Sequence, residues 1–194
     1  AISLKEVDGI IPFGSVHPDS PDALDELERL KENGIKGVKL HPDYQDFFVD
    51  DEKMLPIYEK IGQLGLITVF HCGFDIGYPE PVHCSPERLA RVLHAFNGAP
   101  VVAAHFGGLC ARPETLEHLC GKDVYLDTAY CYGMLTPGKA KELIDVHGAD
   151  KILMGSDAPW SAPWQEIALV KCFGLSEEDE KAVLGENARK LLGL

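Results

Sequence analysis

The sequence lacks a surplus of basic residues. Its 194 residues include 18 Lys and Arg against 31 Asp and Glu, which gives a formal net charge of −13 at pH 7. A strongly acidic protein is repelled by the phosphate backbone of nucleic acids and by anionic membrane surfaces. We therefore expect neither a nucleic-acid partner nor a membrane partner.

Long hydrophobic runs and a secretory leader are also missing. No stretch reaches the roughly 20 apolar residues of a transmembrane helix, and the N-terminus does not place a basic segment before an apolar one. The six cysteines contain no C-x-x-C pair, and a chain of this length does not depend on disulfides for its core. These absences predict a cytoplasmic globular protein with reduced thiols.

What the sequence does contain is a repeated alternation of short apolar runs with amphipathic segments. This alternation is typical of βα units that build a parallel sheet. The runs are almost continuously apolar, as in strands that are covered on both faces. Six strands are predicted: Gly9–Val16, Lys36–His41, Leu66–His71, Val101–His105, Val124–Asp127 and Lys151–Ser156.

The segments between these strands carry the start and stop signals of helices. Three begin with a hydroxyl residue before a proline, which suits an N-cap and the first helical position: Ser20-Pro21, Ser85-Pro86 and Thr136-Pro137. Glycines follow the helical patterns where a left-handed residue ends a helix: Gly34, Gly65, Gly98 and Gly148. In the first helix, Leu24, Leu27 and Leu30 have the spacing of a buried face.

Each predicted strand runs into an ionisable residue: His17, His41, His71, His105, Asp127 and Asp157, with Lys39 two residues before His41. In an open sheet, polar residues cluster at one topological switch point, whereas every strand of a (β/α)8 TIM barrel contributes to its mouth. The pattern favours an α/β fold of the (β/α)8 barrel type. Such a barrel takes about 250 residues. We therefore expect residues 1–194 to form a single incomplete barrel domain, truncated at the N-terminus, with strands three to eight.

Two histidines and an aspartate at the ends of separate strands are candidate metal ligands. His71, His105 and Asp157 offer nitrogen and oxygen atoms that suit zinc, manganese or iron. A bound dication lowers the pKa of a coordinated water and polarises a carbonyl group. A simpler interpretation is that each histidine is only hydrogen-bonded at its strand end. His105 is either a ligand or a donor to a developing oxyanion.

Four phrases, in this order and spacing, resemble the amidohydrolase superfamily: Gly37-Val-Lys-Leu-His-Pro, Phe70-His-Cys-Gly, Ala104-His-Phe-Gly-Gly and Gly155-Ser-Asp-Ala-Pro-Trp. Within it they are most similar to the branch of metal-dependent hydrolases and aminocarboxymuconate-semialdehyde-type decarboxylases. The resemblance spans nearly the whole chain. It implies that His71 is the strand-five metal ligand, His105 the strand-six histidine, and Asp157 the strand-eight aspartate that binds metal and transfers a proton.

The sequence departs from the superfamily at one point. The His-x-His pair of the first strand is absent, since no two histidines are two residues apart. Counting back from the last strand makes Gly9–Val16 the third, so we expect strands one and two to be missing with their ligands. The chain also begins with Ala1 and not with Met, which agrees with a truncated form. The alternative is an incomplete metal site.

Lys39 has three open interpretations. It lies where the superfamily's binuclear members carry a bridging carboxylated lysine or a glutamate, it could bind a substrate carboxylate, or it could be structural. The predicted catalytic residues are Lys39, His105 and Asp157; the predicted metal ligands are His71, His105 and Asp157; and the predicted substrate-binding residues are His41, Arg112 and Trp160.

The leading hypothesis for function is a metal-dependent hydrolase. It would use a divalent metal, zinc first with manganese or iron as alternatives, to cleave an amide, ester or lactone bond of a small molecule. The second hypothesis is a nonoxidative decarboxylase of a small aromatic acid on the same site. The third is an inactive barrel fragment or a noncatalytic binding relative. A homo-oligomer is compatible with the sequence.

Overall fold

A computed structural model of the protein describes residues 1–78, 80–109 and 113–194. Five parallel strands form a sheet in the order β1-β2-β3-β4-β5, so each strand pairs with its neighbour in the sequence. The strands are β1 (Gly37–Leu40), β2 (Ile67–Phe70), β3 (Val101–Ala103), β4 (Tyr125–Asp127) and β5 (Ile152–Leu153). This sequential parallel order is the one found in (β/α)8 barrels.

The helices lie between and after the strands. They are α1 (Ala23–Glu32), α2 (Leu55–Leu64), α3 (Pro86–Val92), α4 (Pro113–His118), α5 (Pro137–His147), α6 (Pro163–Lys171), α7 (Glu177–Lys181) and α8 (Asn187–Leu192). A π-helical turn, Ala182–Glu186, joins the last two, and short 3-10 turns accompany several of the others. Among the described residues, no helix combines the length and the apolar character required to cross a membrane.

Two of the three predicted helix starts are confirmed, since Ser85 and Thr136 are the N-caps of α3 and α5. Ser20-Pro21 does not begin α1, because Asp22 is its N-cap and Ala23 its first residue. The hydroxyl of Ser85 accepts a hydrogen bond from the N–H of Arg88, and Pro86 occupies the first turn of α3. Gly65 ends α2 in the left-handed conformation, with φ +60°. The prediction for Leu24 is wrong: it is exposed, and α1 buries Ala23, Leu27 and Leu30 instead.

The first predicted strand, Gly9–Val16, is not a strand in the structure. Only Gly14 reaches the sheet, where its N–H donates to the carbonyl of Gly37 at 2.9 Å and its carbonyl accepts from Lys39 at 2.8 Å. Pro12 has no N–H with which to continue the ladder, and Ile11 beside it is exposed. The segment therefore covers the outer edge of β1 through one bridge.

The two faces of the sheet bury different sets of residues. The outer face packs against the helices, with Val38, Phe70, Leu126 and Ile152 in the main core. The inner face forms a second cluster of Ile67, Val102 and Leu153, which packs with Leu191 and Leu192 of α8 and with Phe13, Val69, Tyr125 and Ala188. We call this inner cluster, together with α8, the floor. The floor closes the inner face below the carboxyl ends of the strands.

The last helices also cover the free edge of β5. The side-chain amide of Asn187 donates to the carbonyl of Ala149 at 2.7 Å and to that of Ile152 at 2.8 Å. The N–H of Met154 donates to the carbonyl of Val183 at 3.0 Å. On the other side of the sheet, the ammonium of Lys36, just before β1, donates to the carbonyl of Leu192. The end of the chain is thereby tied to both the last and the first strand.

Candidate active site

A cavity of about 440 Å³ opens at the carboxyl ends of the strands. We call this end of the molecule, with the loops that follow the strands, the mouth. The cavity has the volume of a small-molecule site, for which roughly 300–1,000 Å³ is usual. It is lined by six of the residues predicted from the sequence: Lys39, His41, His71, His105, Asp157 and Trp160. The seventh, Arg112, lies outside the described residues.

Strand alternation explains how the same strands build both the floor and the mouth. Along β2, Ile67 and Val69 face the floor, and the next residue on that side is His71 at the mouth. Along β5, Leu153 faces the floor, and the same side continues towards Asp157. Because side chains repeat with a period of two residues, the inner face changes from apolar to polar where each strand ends.

His71 and His105 contact each other at the base of the cavity, and both are buried. Nδ1 of His71 lies 3.2 Å from Nε2 of His105, and Nδ1 of His105 lies 2.8 Å from the carbonyl oxygen of Ala129. The backbone of His105 is left-handed, with φ +59°. The carboxylate of Asp127 accepts from its N–H at 2.9 Å, which fixes this uncommon conformation.

Two carboxylates face the opposite nitrogen of His71. Its Nε2 lies 3.8 Å from Oδ2 of Asp75 and 3.9 Å from Oδ2 of Asp43. Nε2 of His41 lies 3.5 Å from the same oxygen of Asp75, and the rings of His41 and His71 are stacked with centroids 4.2 Å apart. One ligand atom each from His41, His71 and Asp75 lies within 4.8 Å of the other two.

The electrostatics of this group favour neutral imidazoles. Burial lowers the pKa of His71 to about 2, and the charges of His41, His105 and Lys39 act in the same direction. Burial likewise lowers the pKa of His41 to about 4. Neutral imidazole is the form that binds metals. Nε2 of His71 and Oδ2 of Asp43 are buried without a hydrogen-bond partner among the described residues, so this donor set fits a divalent cation.

Lys39 and Asp157 line the same cavity, but Asp157 is exposed to solvent and Lys39 is only partly so. Burial lowers the pKa of Lys39, and the carboxylates of Asp127 and Asp157 oppose that shift. Asp157 is exposed at the rim, and its backbone is left-handed with φ +58°. Neither Asp157 nor His105 belongs to the compact group of ligand atoms found among the described residues.

Aromatic side chains form part of the cavity wall. Tyr44 stacks on His41 with centroids 3.6 Å apart, and Tyr130 and Trp160 line the same space. Trp160 is 72% exposed, so its ring stands at the rim where a bound molecule would cover it. A planar substrate would find aromatic surface on more than one side.

Sequence reasoning missed three residues of this site: Asp43, Asp75 and His83. The carboxylate of Asp43 is fully buried, and its Oδ1 lies 2.9 Å from Nδ1 of His83. Asp43 follows the strand-end His41 by two residues, and Asp75 follows the strand-end His71 by four. A carboxylate in the loop directly after a predicted site residue was the signal by which the sequence could have indicated them.

The fold is of the TIM-barrel type, with a polar cavity at the carboxyl ends of the strands, where enzymes with this fold place their active sites. The amidohydrolase family model matches residues 2–194. The chain belongs to the amidohydrolase family. The family that the strand-end phrases predicted is thus confirmed.

Solved structures of distant relatives have the same fold. A 5-carboxyvanillate decarboxylase from Sphingomonas paucimobilis is 18% identical, with a TM-score of 0.75 over 94% of this chain and 66% of its own. A probable 2-pyrone-4,6-dicarboxylic acid hydrolase from Acinetobacter baumannii is 19% identical, with a TM-score of 0.69; the match covers 94% of this chain and 72% of the hydrolase. A dihydroxybenzoic acid decarboxylase from Polaromonas sp. JS666, with bound manganese, is 17% identical, with a TM-score of 0.63; the match covers 89% of this chain and 65% of the decarboxylase. The chain spans about two thirds of the length of these proteins.

Proposed function

We propose that the cavity is the active site of a metal-dependent hydrolase that cleaves an amide, ester or lactone bond in a small carboxylate-bearing molecule. The observation that carries this proposal is the buried Nε2 of His71, which has no hydrogen-bond partner among the described residues and lies beside two carboxylates. It stands at the base of a cavity that also contains Lys39. A divalent metal supplies Lewis acidity and an activated water when bound. Zinc and iron suit these ligands, and manganese is supported by the manganese-bound relative.

Two ligand sets at this cavity suit a divalent metal. The set predicted from the sequence is His71, His105 and Asp157. The set that the structure brings closest together is His41, His71 and Asp75. His71 belongs to both, so we expect His71→Ala to weaken metal binding whichever set is used.

The remaining residues of the cavity bind the substrate and move a proton. Asp157 stands at the rim with an accessible carboxylate, and we assign it the transfer of a proton between attacking water and leaving group. The ammonium of Lys39 pairs with a substrate carboxylate. His41, Trp160 and, outside the described residues, Arg112 are proposed to hold the rest of the substrate.

A nonoxidative decarboxylase is the second candidate. It is favoured by the two decarboxylases among the distant relatives described above. The same cavity would bind an aromatic carboxylate, with Lys39 and the bound metal near its charge and with Tyr44 and Trp160 against its ring. Asp157 would then donate the proton that replaces the lost carboxyl group.

Turnover on two matched panels tests the proposal and separates the candidates. The protein is loaded with Zn²⁺ or Mn²⁺ and given 2-pyrone-4,6-dicarboxylate and simple aryl esters, or 5-carboxyvanillate and dihydroxybenzoates. Ring opening or ester cleavage without carbon dioxide supports the hydrolase, and carbon dioxide release supports the decarboxylase instead. A metal-loaded protein that turns over neither panel would overturn both candidates and favour a noncatalytic role.

A further inference from the structure

We propose that Glu166 of α6 is a positioning residue for the cavity, because its buried carboxylate joins the two loops that carry one wall of the substrate site. These are the β4 loop (residues 128–136) and the β5 loop (residues 154–162). Tyr130 of the first loop and Trp160 of the second line the cavity. The inference rests on the proposed function only in that the cavity binds a small molecule.

The carboxylate of Glu166 holds both loops at once. Its Oε1 and Oε2 accept the N–H of Tyr132 in the β4 loop at 3.1 and 3.0 Å, and Oε1 also accepts the hydroxyl of Ser161 in the β5 loop at 2.6 Å. Hydrogen bonds to a carboxylate are stronger than those between neutral groups. A single side chain of α6 therefore fixes the β4 loop and the β5 loop relative to each other.

The burial of Glu166 makes these contacts necessary. The residue is 0% exposed and lies in the first turn of α6, where the positive end of the helix dipole favours an anion. Burying a carboxylate is costly unless hydrogen bonds replace the water that it loses. Movement of either loop away from α6 would leave the carboxylate buried without its donors, so the two loops are held together.

A second contact between the two loops lies closer to the strands. The hydroxyl of Thr128 donates to the carbonyl of Gly155 at 3.2 Å and accepts the N–H of Gly155 at 3.1 Å. The backbones approach closely here, since a Cβ added to Gly155 would lie 3.0 Å from Cβ of Ala129. The inner ends of both loops are thus fixed independently of Glu166, whose contacts hold the outer parts.

Trp160 belongs to the outer part of the β5 loop. It directly precedes Ser161, its N–H donates to the carbonyl of Asp157 at 2.9 Å, and it is 72% exposed. A ring with so much exposed surface packs against little of the protein, so its position depends on the backbone of its loop. Asp157 lies nearer to Gly155 and to the inner contact. Loss of the Glu166 carboxylate should therefore weaken ligand binding more than it slows proton transfer.

The fluorescence of Trp160 tests this inference in the background Trp164→Phe, because the chain has only these 2 tryptophans. The metal-loaded protein is titrated with 5-carboxyvanillate and with 2-pyrone-4,6-dicarboxylate, and KM and kcat are measured for whichever acid is converted. We expect Glu166→Ala to raise Kd and KM by about 5- to 100-fold, because binding must then order both loops. Since the lost contacts act on binding, kcat should change by less than about threefold.

Three further variants separate positioning from a loss of stability. Glu166→Gln retains an oxygen for the N–H of Tyr132 and an amide that donates to the hydroxyl oxygen of Ser161, so it should recover most of the lost affinity. Ser161→Ala removes only the contact to the β5 loop and should raise Kd by about 3- to 10-fold; it replaces Glu166→Ala if that protein does not fold. Asn187→Ala is the control, because it removes buried hydrogen bonds away from the cavity, and its Kd should stay within about twofold of the wild type.

The outcomes separate this inference from the proposed function. Wild-type Kd and KM in folded Glu166→Ala, or equal losses in Glu166→Ala and Asn187→Ala, would overturn the inference and leave the hydrolase proposal intact. Binding of an acid without turnover, weakened in Glu166→Ala and recovered in Glu166→Gln, would support the inference and count against the hydrolase proposal. A Trp160 fluorescence that responds to neither acid in the wild-type background would overturn the inference, since the wall would then hold no such ligand.

Discussion

The floor and the mouth are built by the same five strands, yet they differ in almost every physical respect. At the floor, apolar side chains such as Val102 and Leu153 pack against α8. At the mouth, the backbone is left-handed at His105, Tyr130 and Asp157, and polar atoms of His71 and Asp43 are buried without partners among the described residues.

Uncommon backbone conformations and unpaired buried polar atoms persist only where the surrounding structure holds them in place. The comparison indicates that the floor stabilises the fold and that the mouth is arranged for binding. Substitutions should therefore divide into those that change the free energy of unfolding and those that change metal affinity or turnover. We expect the effect on stability to decrease in the order Phe70, Asn187, Ser85, Asp157.

Phe70→Ala should have the largest effect on stability. Phe70 is fully buried on the outer face of β2 and contacts the rings of Tyr58 and Phe96 edge-on. Truncation of such a residue costs about 3–5 kcal/mol, which urea denaturation measures. The control is Ile76→Ala at the mouth, since Ile76 is 60% exposed. Equal losses in the two variants would contradict the division between the buried core of the sheet and the mouth.

Asn187→Ala should have the next largest effect. Its buried amide donates to the carbonyl of Ile152 in β5 and to that of Ala149 in the turn before it, and the substitution removes both hydrogen bonds. We expect a loss of about 1–3 kcal/mol in the free energy of unfolding. Asn33→Ala is a matched control, because the amide of Asn33 bonds to the carbonyl of Arg29 at the surface. A smaller loss for Asn187→Ala than for Asn33→Ala would contradict the role of the Asn187 amide in holding β5.

Ser85→Ala should destabilise the protein more modestly, by about 1 kcal/mol, because it removes the N-cap of α3. Thr136→Ala is the comparison, since Thr136 occupies the N-cap of α5 without a side-chain hydrogen bond to the helix. Thermal unfolding of both variants checks the difference. If Thr136→Ala loses as much as Ser85→Ala, the cap hydrogen bond does not account for the effect.

Asp157→Asn should have the smallest effect on stability and a large one on turnover. The side chain is exposed, and asparagine tolerates the left-handed backbone better than most residues. We expect a change within about 0.5 kcal/mol in unfolding and a rate loss of about 10²- to 10⁴-fold if Asp157 transfers the proton. Unchanged turnover of the substrates that the wild-type protein converts would show that Asp157 does not transfer the proton.

The sequence predicts the parts of this molecule that are governed by short periodic patterns. All five strands of the sheet begin within one residue of their predicted starts, and Lys39, His41 and His71 line the cavity as strand alternation requires. At β5, the 3-10 turn Ala149–Lys151 takes the predicted first residue. Because the backbone of a strand is regular, the spacing of residues along the sequence is enough to predict which side chains reach the cavity.

The sequence fails where a loop or a single breaker decides the outcome. Pro12 reduces a predicted strand to one bridge. Leu24 is exposed although its spacing matches the buried face, since Ala23 takes the buried position in the first turn of α1. Asp43 and Asp75 reach His71 through the paths of their loops, which no periodicity describes. The contacts of Asp43 and Asp75 with His71 therefore could not be predicted from the sequence.

The contact between Lys36 and the carbonyl of Leu192 has a practical consequence for handling the protein. The residues that follow it are Gly193, which is left-handed, and Leu194, which is exposed. A shortened variant that ends at Leu191 lacks this carbonyl and loses the tie between α8 and the residue that precedes β1.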